Sequence, residues 1–139
     1  MRSAWDLRRA GAIAVGGIAG AGTRWAILVT FEPSDHMPWA VLVINVVGSV
    51  LLGVLLAEEW THPSSRLMVH DGGAIGFCGG MTTFSTFTLE VVDLARDDAL
   101  GVAVTYGLLS VVLSIAGVVA GAAALRRVRA VSRPLEEQP

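Results

Sequence analysis

The sequence predicts an all-α membrane protein with four transmembrane helices per subunit. Three observations carry that prediction. Four apolar stretches are each long enough to cross a bilayer, whose hydrocarbon core of about 30 Å asks for about 20 helical residues. Only 16% of the 139 residues are charged, while 53% are hydrophobic, against about a quarter charged in a soluble domain. The mean hydropathy is +0.63. Little chain is left outside these stretches, so no soluble catalytic domain is expected, and function is expected inside the membrane.

The first span is expected at residues 10–31, apolar apart from Arg24. Arg8 and Arg9 precede it in the manner of a signal peptide. The apolar run is too long for one, and three more follow, so a span is expected instead. The second span is expected at 38–57 and the fourth at 99–125, both without a charge. The third is expected at 72–92, with Glu90 near its end. Residues 126–139 form a short tail, Arg-rich and then acidic and proline-containing, expected to be disordered. Gly16 and Gly20, and Gly117 and Gly121, have the four-residue spacing that lets membrane helices approach closely. Four thin helices enclose little space, so an oligomer is expected.

The net charge of −2 carries no functional message, and all ten cations are arginine. Their distribution is more telling. With four spans, both termini and the loop 58–66 share one side. That side holds Arg2, Arg8, Arg9, Arg66, Arg126, Arg127, Arg129 and Arg133, against Arg96 and Arg24 elsewhere. Cationic loops stay cytoplasmic, so both termini are expected inside the cell. Cys78 is the single cysteine, which excludes an intramolecular disulfide and a cysteine-rich metal site. His36, His62 and His70 lie at segment ends without metal spacing.

The third span is unlike the others. Residues 72–88 read GGAIGFCGGMTTFSTFT, with five glycines and five hydroxyl residues. Each interior glycine costs a helix up to about 1 kcal/mol against alanine, and β-branched threonine lowers helix propensity further. A break is expected near Gly79–Thr83. Backbone freed at membrane depth must meet protein, water or an ion, so the break marks a functional or assembly centre.

The polar groups within the spans have a common character. Asn45 stands alone in VLVINVVGSVLLG, with Ser49 one turn on. It either bonds a neighbouring helix or serves a pathway. Tyr106, Ser110 and Ser114 fall at i, i+4 and i+8, a single stripe of hydroxyls. Phe84 and Phe87 lie three apart after the expected break, and aromatic ring edges carry positive potential. Arg24 is open to three readings: snorkelling to the interface, holding packed helix ends, or attracting anions at a vestibule. Glu90 either reaches the interface or lines an entrance. Amide, hydroxyl and ring-edge groups are donors or positive dipoles, and no acid sits at mid-span. That inventory favours a small anion over a cation. A channel is expected rather than a pump, since no nucleotide-binding motif or titratable relay is present. No nucleophile–base pair or metal cluster suggests an enzyme, and nothing suggests nucleic acid as a partner. A small multidrug antiporter, also of four spans, would need an acid in the first helix, where this chain carries Arg24.

These residues resemble the Fluc/CrcB family of fluoride channels over roughly residues 11–125. The matching segments are GGIAGAGTRW (16–25), NVVGSVLLG (45–53), GFCGGMTTFSTF (76–87), and the set Tyr106, Ser110 and Ser114. The resemblance implies a fluoride-specific channel of the cell membrane that exports fluoride passively. It implies an antiparallel, dual-topology dimer with two pathways along the interface. Asn45, Phe84, Phe87, Tyr106, Ser110 and Ser114 would line the pathway, with Thr83 and Ser85 beside them. Glu90 would stand near an entrance, and Arg24 would be the family's motif arginine. A structural Na⁺, not transported, would sit at the centre on backbone carbonyls of Gly79 and Thr82 from both chains. Two features stand apart from the pattern. His70 and Asp71 are unusually polar for the start of a span. The arginine asymmetry suits a subunit of fixed orientation that pairs with an oppositely oriented paralogue, as an alternative to the homodimer.

Overall fold

A computed structural model describes residues 4–31, 37–58 and 62–132. His36, Arg2, Arg133 and the acidic tail 133–139 lie outside the described residues. The described chain is all helical, without a strand, and three of its helices are long and apolar enough to cross a membrane.

Helix α1 runs Ala4–Thr30 and opens with Asp6 in its first turn, where an acid complements the positive helix end. Helix α2, Trp39–Leu56, begins directly after Pro38, whose fixed φ ends the preceding chain. Its mean hydropathy, 2.5, is the highest of the three apolar helices.

The third run is segmented where the sequence is richest in glycine. A single turn, α3 (Pro63–Ser65), leads into a π-helical stretch Arg66–Cys78 and then into α4 (Gly79–Met81). Thr82 is extended (φ −76°, ψ 154°), and the chain re-enters a helix, α5, only at Ser85–Arg96. This is why the run is not among the three long continuous helices. Asp98 then turns the chain with φ 57°, a conformation that aspartate tolerates better than most residues. Helix α6, Leu100–Ser132, has 33 residues. At 1.5 Å per residue it is about 50 Å long, well beyond a hydrocarbon core of about 30 Å. Its last turns are latched by an ion pair between Arg129 and Glu58 at the end of α2.

Two glycine seams hold the bundle. Helix α1 lies along the π-helical stretch and α4, and α2 lies along α6. A Cβ at Gly16, Gly20, Gly76 or Gly80 would strike the backbone across the first seam. One at Gly53 or Gly121 would do the same across the second. Backbone-to-backbone approach of this kind maximises dispersion contact where lipid removes the hydrophobic drive. The seams leave wide apolar faces uncovered, including Val15, Ile18, Trp25, Leu108 and Ile115, as expected where lipid or another chain takes the place of water.

The polar start of the third run has a partner. Asp71 is 1% exposed, and Arg9 reaches it with Nε 2.7 Å and Nη2 3.3 Å from its two carboxylate oxygens. His70 Nδ1 lies 2.9 Å from the same carboxylate. At the far end of the seam Arg24 Nη1 donates to the Thr82 carbonyl at 3.0 Å. Two arginines of one helix therefore bracket the first seam and fix its register.

Candidate functional site

The chain between α4 and α5 is held by side chains instead of by a helical ladder. Asn45 grips the Thr83 peptide from both sides. Its Nδ2 donates to the Thr83 carbonyl at 3.0 Å, and its Oδ1 accepts from the Thr83 N–H at 2.8 Å. That pairing fixes which way the amide faces and leaves Nδ2 a second N–H. The Thr83 hydroxyl accepts from the Thr86 N–H at 3.2 Å, satisfying an otherwise orphaned amide of the first turn of α5. It donates in turn to Thr86 Oγ1 at 3.0 Å and lies 3.3 Å from Ser85 Oγ.

These bonds have a consequence for two carbonyls. In an uninterrupted α-helix the Gly79 carbonyl would accept from the Thr83 N–H, and the Thr82 carbonyl from the Thr86 N–H. Both donors are diverted, one to Asn45 and one to the Thr83 hydroxyl. The Thr82 carbonyl keeps the Arg24 guanidinium as a partner.

A groove of ≈ 330 Å³ opens beside the interruption. Asn45 and Ser49 of α2 form one wall, and Ser110 and Ser114 of α6 another. Thr82, Thr83, Phe84 and Phe87 close it from the third run, and Leu52, Val111 and Ile115 supply apolar surface. No residue lining it is charged. Ser110 is 5% exposed; its hydroxyl makes no well-formed hydrogen bond among the described residues, its polar neighbour being the Tyr106 hydroxyl one turn back. A buried hydroxyl left unpaired costs roughly 1–3 kcal/mol, so the site holds donor capacity that the chain itself does not use.

The aromatic residues form a ladder. Phe84 and Phe87 have centroids 5.7 Å apart at 43°, and Phe87 and Tyr106 stand 5.4 Å apart at 49°. Tyr106 is fully buried, and its hydroxyl donates to Glu90 Oε2 at 2.5 Å. Phe84, by contrast, is 77% exposed, so one wall of the groove is open on this chain alone.

The sequence-derived site residues thus fall into groups. Asn45, Thr83, Phe84, Phe87, Ser110 and Ser114 meet at the groove, with Thr82. Tyr106 and Glu90 pair with each other one step behind Phe87 and do not line it. Ser85 touches the groove only through Thr83. Arg24 bonds the Thr82 carbonyl instead of standing free at a mouth. Gly79 is exposed, with nothing within 4 Å of a Cβ placed on it. The sequence placed Ser49 one turn after Asn45 on a polar face without assigning it to the pathway; the fold brings it to the groove. Sequence reasoning left out the Arg9–Asp71 pair, because a contact over 62 residues has no local signature. Among the described residues no cluster of three His, Cys, Asp or Glu side chains comes together to hold a metal.

Apolar helices of membrane-spanning length, packed by glycine around a neutral, donor-lined groove, define a multi-pass membrane protein. The chain belongs to the family described as "CrcB-like protein, Camphor Resistance (CrcB)", whose profile matches residues 11–122. Its relatives are ion channels and not enzymes. It is 36% identical over 118 residues to "Fluoride-specific ion channel FluC" of Bordetella petrii, covering 85% of this chain and 91% of the relative. It is 37% identical over 116 residues to the protein of the same name from Nitrobacter winogradskyi, covering 79% and 89%. It is 41% identical over 120 residues to "Fluoride-specific ion channel FluC 2" of Nocardia farcinica, covering 83% of each.

Proposed function

We propose that this chain is a subunit of a fluoride-specific channel that lets fluoride leave the cell passively. The observation that carries the reading is the neutral groove, with Ser110 buried without a well-formed hydrogen bond and Asn45 fixed with an N–H to spare. A bare small anion entering hydrocarbon loses hydration worth tens of kcal/mol. Hydroxyl and amide donors held in place replace that water without being reorganised, and Phe84 and Phe87 offer ring edges. A fixed cation in the groove would bind the anion too tightly for rapid release, and none lines it. The names of the relatives above supply the identity of the ion.

The functional unit is a dimer. Its support is the open wall at Phe84, 77% exposed, and the thinness of one four-span bundle. The third span, residues 72–92, is then interrupted at mid-membrane where Thr82 is extended. Two copies in antiparallel orientation would complete two pathways along their interface. Tyr106 and Glu90 would stand at the side of the path, coupling an entrance to Phe87.

A structural Na⁺ at the dimer centre fits the donors on this chain. The Gly79 and Thr82 carbonyls are released from helical bonding, and carbonyl oxygen is a hard ligand suited to a hard cation. Two carbonyls are too few for a complete shell, so a second copy would have to supply the rest. When bound, the ion would tie the two interrupted runs together, sharing the Thr82 carbonyl with the Arg24 guanidinium.

A heterodimer with an oppositely oriented paralogue is the second reading, favoured by one observation. Among described residues, exposed Arg8, Arg66, Arg126 and Arg127 share with Asp6 the end where α1 begins and α6 finishes, while exposed Asp93, Asp97 and Asp98 lie with Arg96 at the other. The test of function is fluoride efflux from proteoliposomes holding the purified protein, with chloride as control. Fluoride release without chloride release is expected, and no fluoride release refutes the reading.

A further inference from the structure

We infer that Ser49 is a hydroxyl donor to the permeating anion, placed on the wall of the groove opposite Ser110 and Ser114. The inference rests on the channel reading above and adds a hydroxyl to the Asn45 amide on the α2 wall.

The argument begins with what hydroxyls do in helices. Ser and Thr in apolar helices commonly bond the carbonyl four residues back. In this chain four helical threonines do so: Thr23, Thr30, Thr88 and Thr105 donate to Ala19, Ala26, Phe84 and Gly101 at 2.9, 2.7, 2.7 and 2.8 Å. Thr82 does the same to Cys78 at 2.9 Å. Those hydroxyls are spent. Ser110, 5% exposed and lining the groove, makes no such bond. Ser49 and Ser114 line the same groove, and neither appears among the hydroxyls that bond their own helix. The chain thus separates its hydroxyls into two populations, and Ser49 falls with the unspent ones.

Position strengthens the case. Ser49 follows Asn45 by one turn on α2, so both face the groove from the same wall. Its Cβ stands 3.4 Å from where a side chain on Gly117 would begin. Gly117 is buried and lies three residues beyond Ser114 on α6. Ser49 therefore sits where α2 and α6 draw together. Donors from two helices surround an anion better than a stripe on one, because a stripe replaces only half of a hydration shell.

The experiment measures fluoride efflux from proteoliposomes for the natural protein, Ser49→Ala and Ser110→Ala, together with the thermal midpoint of each. A hydrogen bond to a charged group is worth enough that its loss slows transport about tenfold or more. Ser49→Ala is expected to show that loss, with a higher half-saturating fluoride concentration and an unchanged midpoint, since no protein partner is removed. Efflux at the natural rate in Ser49→Ala, with Ser110→Ala slowed, overturns the role of Ser49 and leaves the channel reading standing. Slow efflux with a lowered midpoint makes Ser49 a structural residue and also overturns it. No efflux from the natural protein refutes the channel itself.

Discussion

At the scale of single residues, Asn45 does two jobs, holding the Thr83 peptide and presenting an N–H to the groove. Asn45→Asp separates them. The carboxylate can accept from the Thr83 N–H but has no hydrogen to give its carbonyl, and it places negative charge in the groove proposed as the anion's path. Fluoride efflux is expected to be abolished, while detergent-solubilised protein still elutes as an assembled species in size-exclusion chromatography. Phe84→Ile removes a ring edge without removing apolar bulk, and loss of flux with intact assembly is again expected. Asn45 and Ser110 were legible in the sequence because a polar residue in an apolar span must have a reason. The double grip on Thr83 was not, since it joins residues 38 apart. Tyr106 was read as one rung of a hydroxyl stripe; its bond to Glu90, a partner on another element, is one that helix periodicity cannot reveal.

At the scale of elements, glycine governs how helices pair. Gly20 of α1 and Gly76 and Gly80 of the third run face backbone across the first seam, while Gly22 and Gly101 face open space. Gly20→Val is expected to destabilise the fold by about 3 kcal/mol or more, because backbone, unlike a side chain, has no rotamer to yield. Gly101→Ala is expected to leave stability unchanged or raise it by up to about 1 kcal/mol. Thermal unfolding in one detergent compares the two. The sequence identified the third span as the anomalous one from its composition. It did not reveal the π-helical winding of residues 66–78, since no residue pattern distinguishes i→i+5 bonding from a glycine-weakened α-helix. Nor did it show that α6 would continue helical through Arg126 and Arg129 to Ser132. The Glu58 ion pair that latches this overhang is a tertiary contact.

At the scale of the whole molecule, charge divides the chain into two unlike ends. Arg9 and Arg129 are taken up by Asp71 and Glu58, but Arg8, Arg66, Arg126 and Arg127 stay exposed at the same end. Cationic ends are retained in the cytoplasm, so cysteine labelling at exposed sites of that end is expected to report one orientation when the chain is produced alone. Labelling of both faces in equal amounts would instead favour the antiparallel homodimer. The polarity also bears on electrical behaviour. Two identical subunits related by a two-fold axis in the membrane plane present the same mouth to both solutions, so their current–voltage curve must be symmetric about zero. A pair built from this chain and a different partner has no such axis, and its arginine-rich mouth would concentrate anions on one face only. Rectification of the fluoride current would therefore tell, without any structure of the complex, whether the chain pairs with itself.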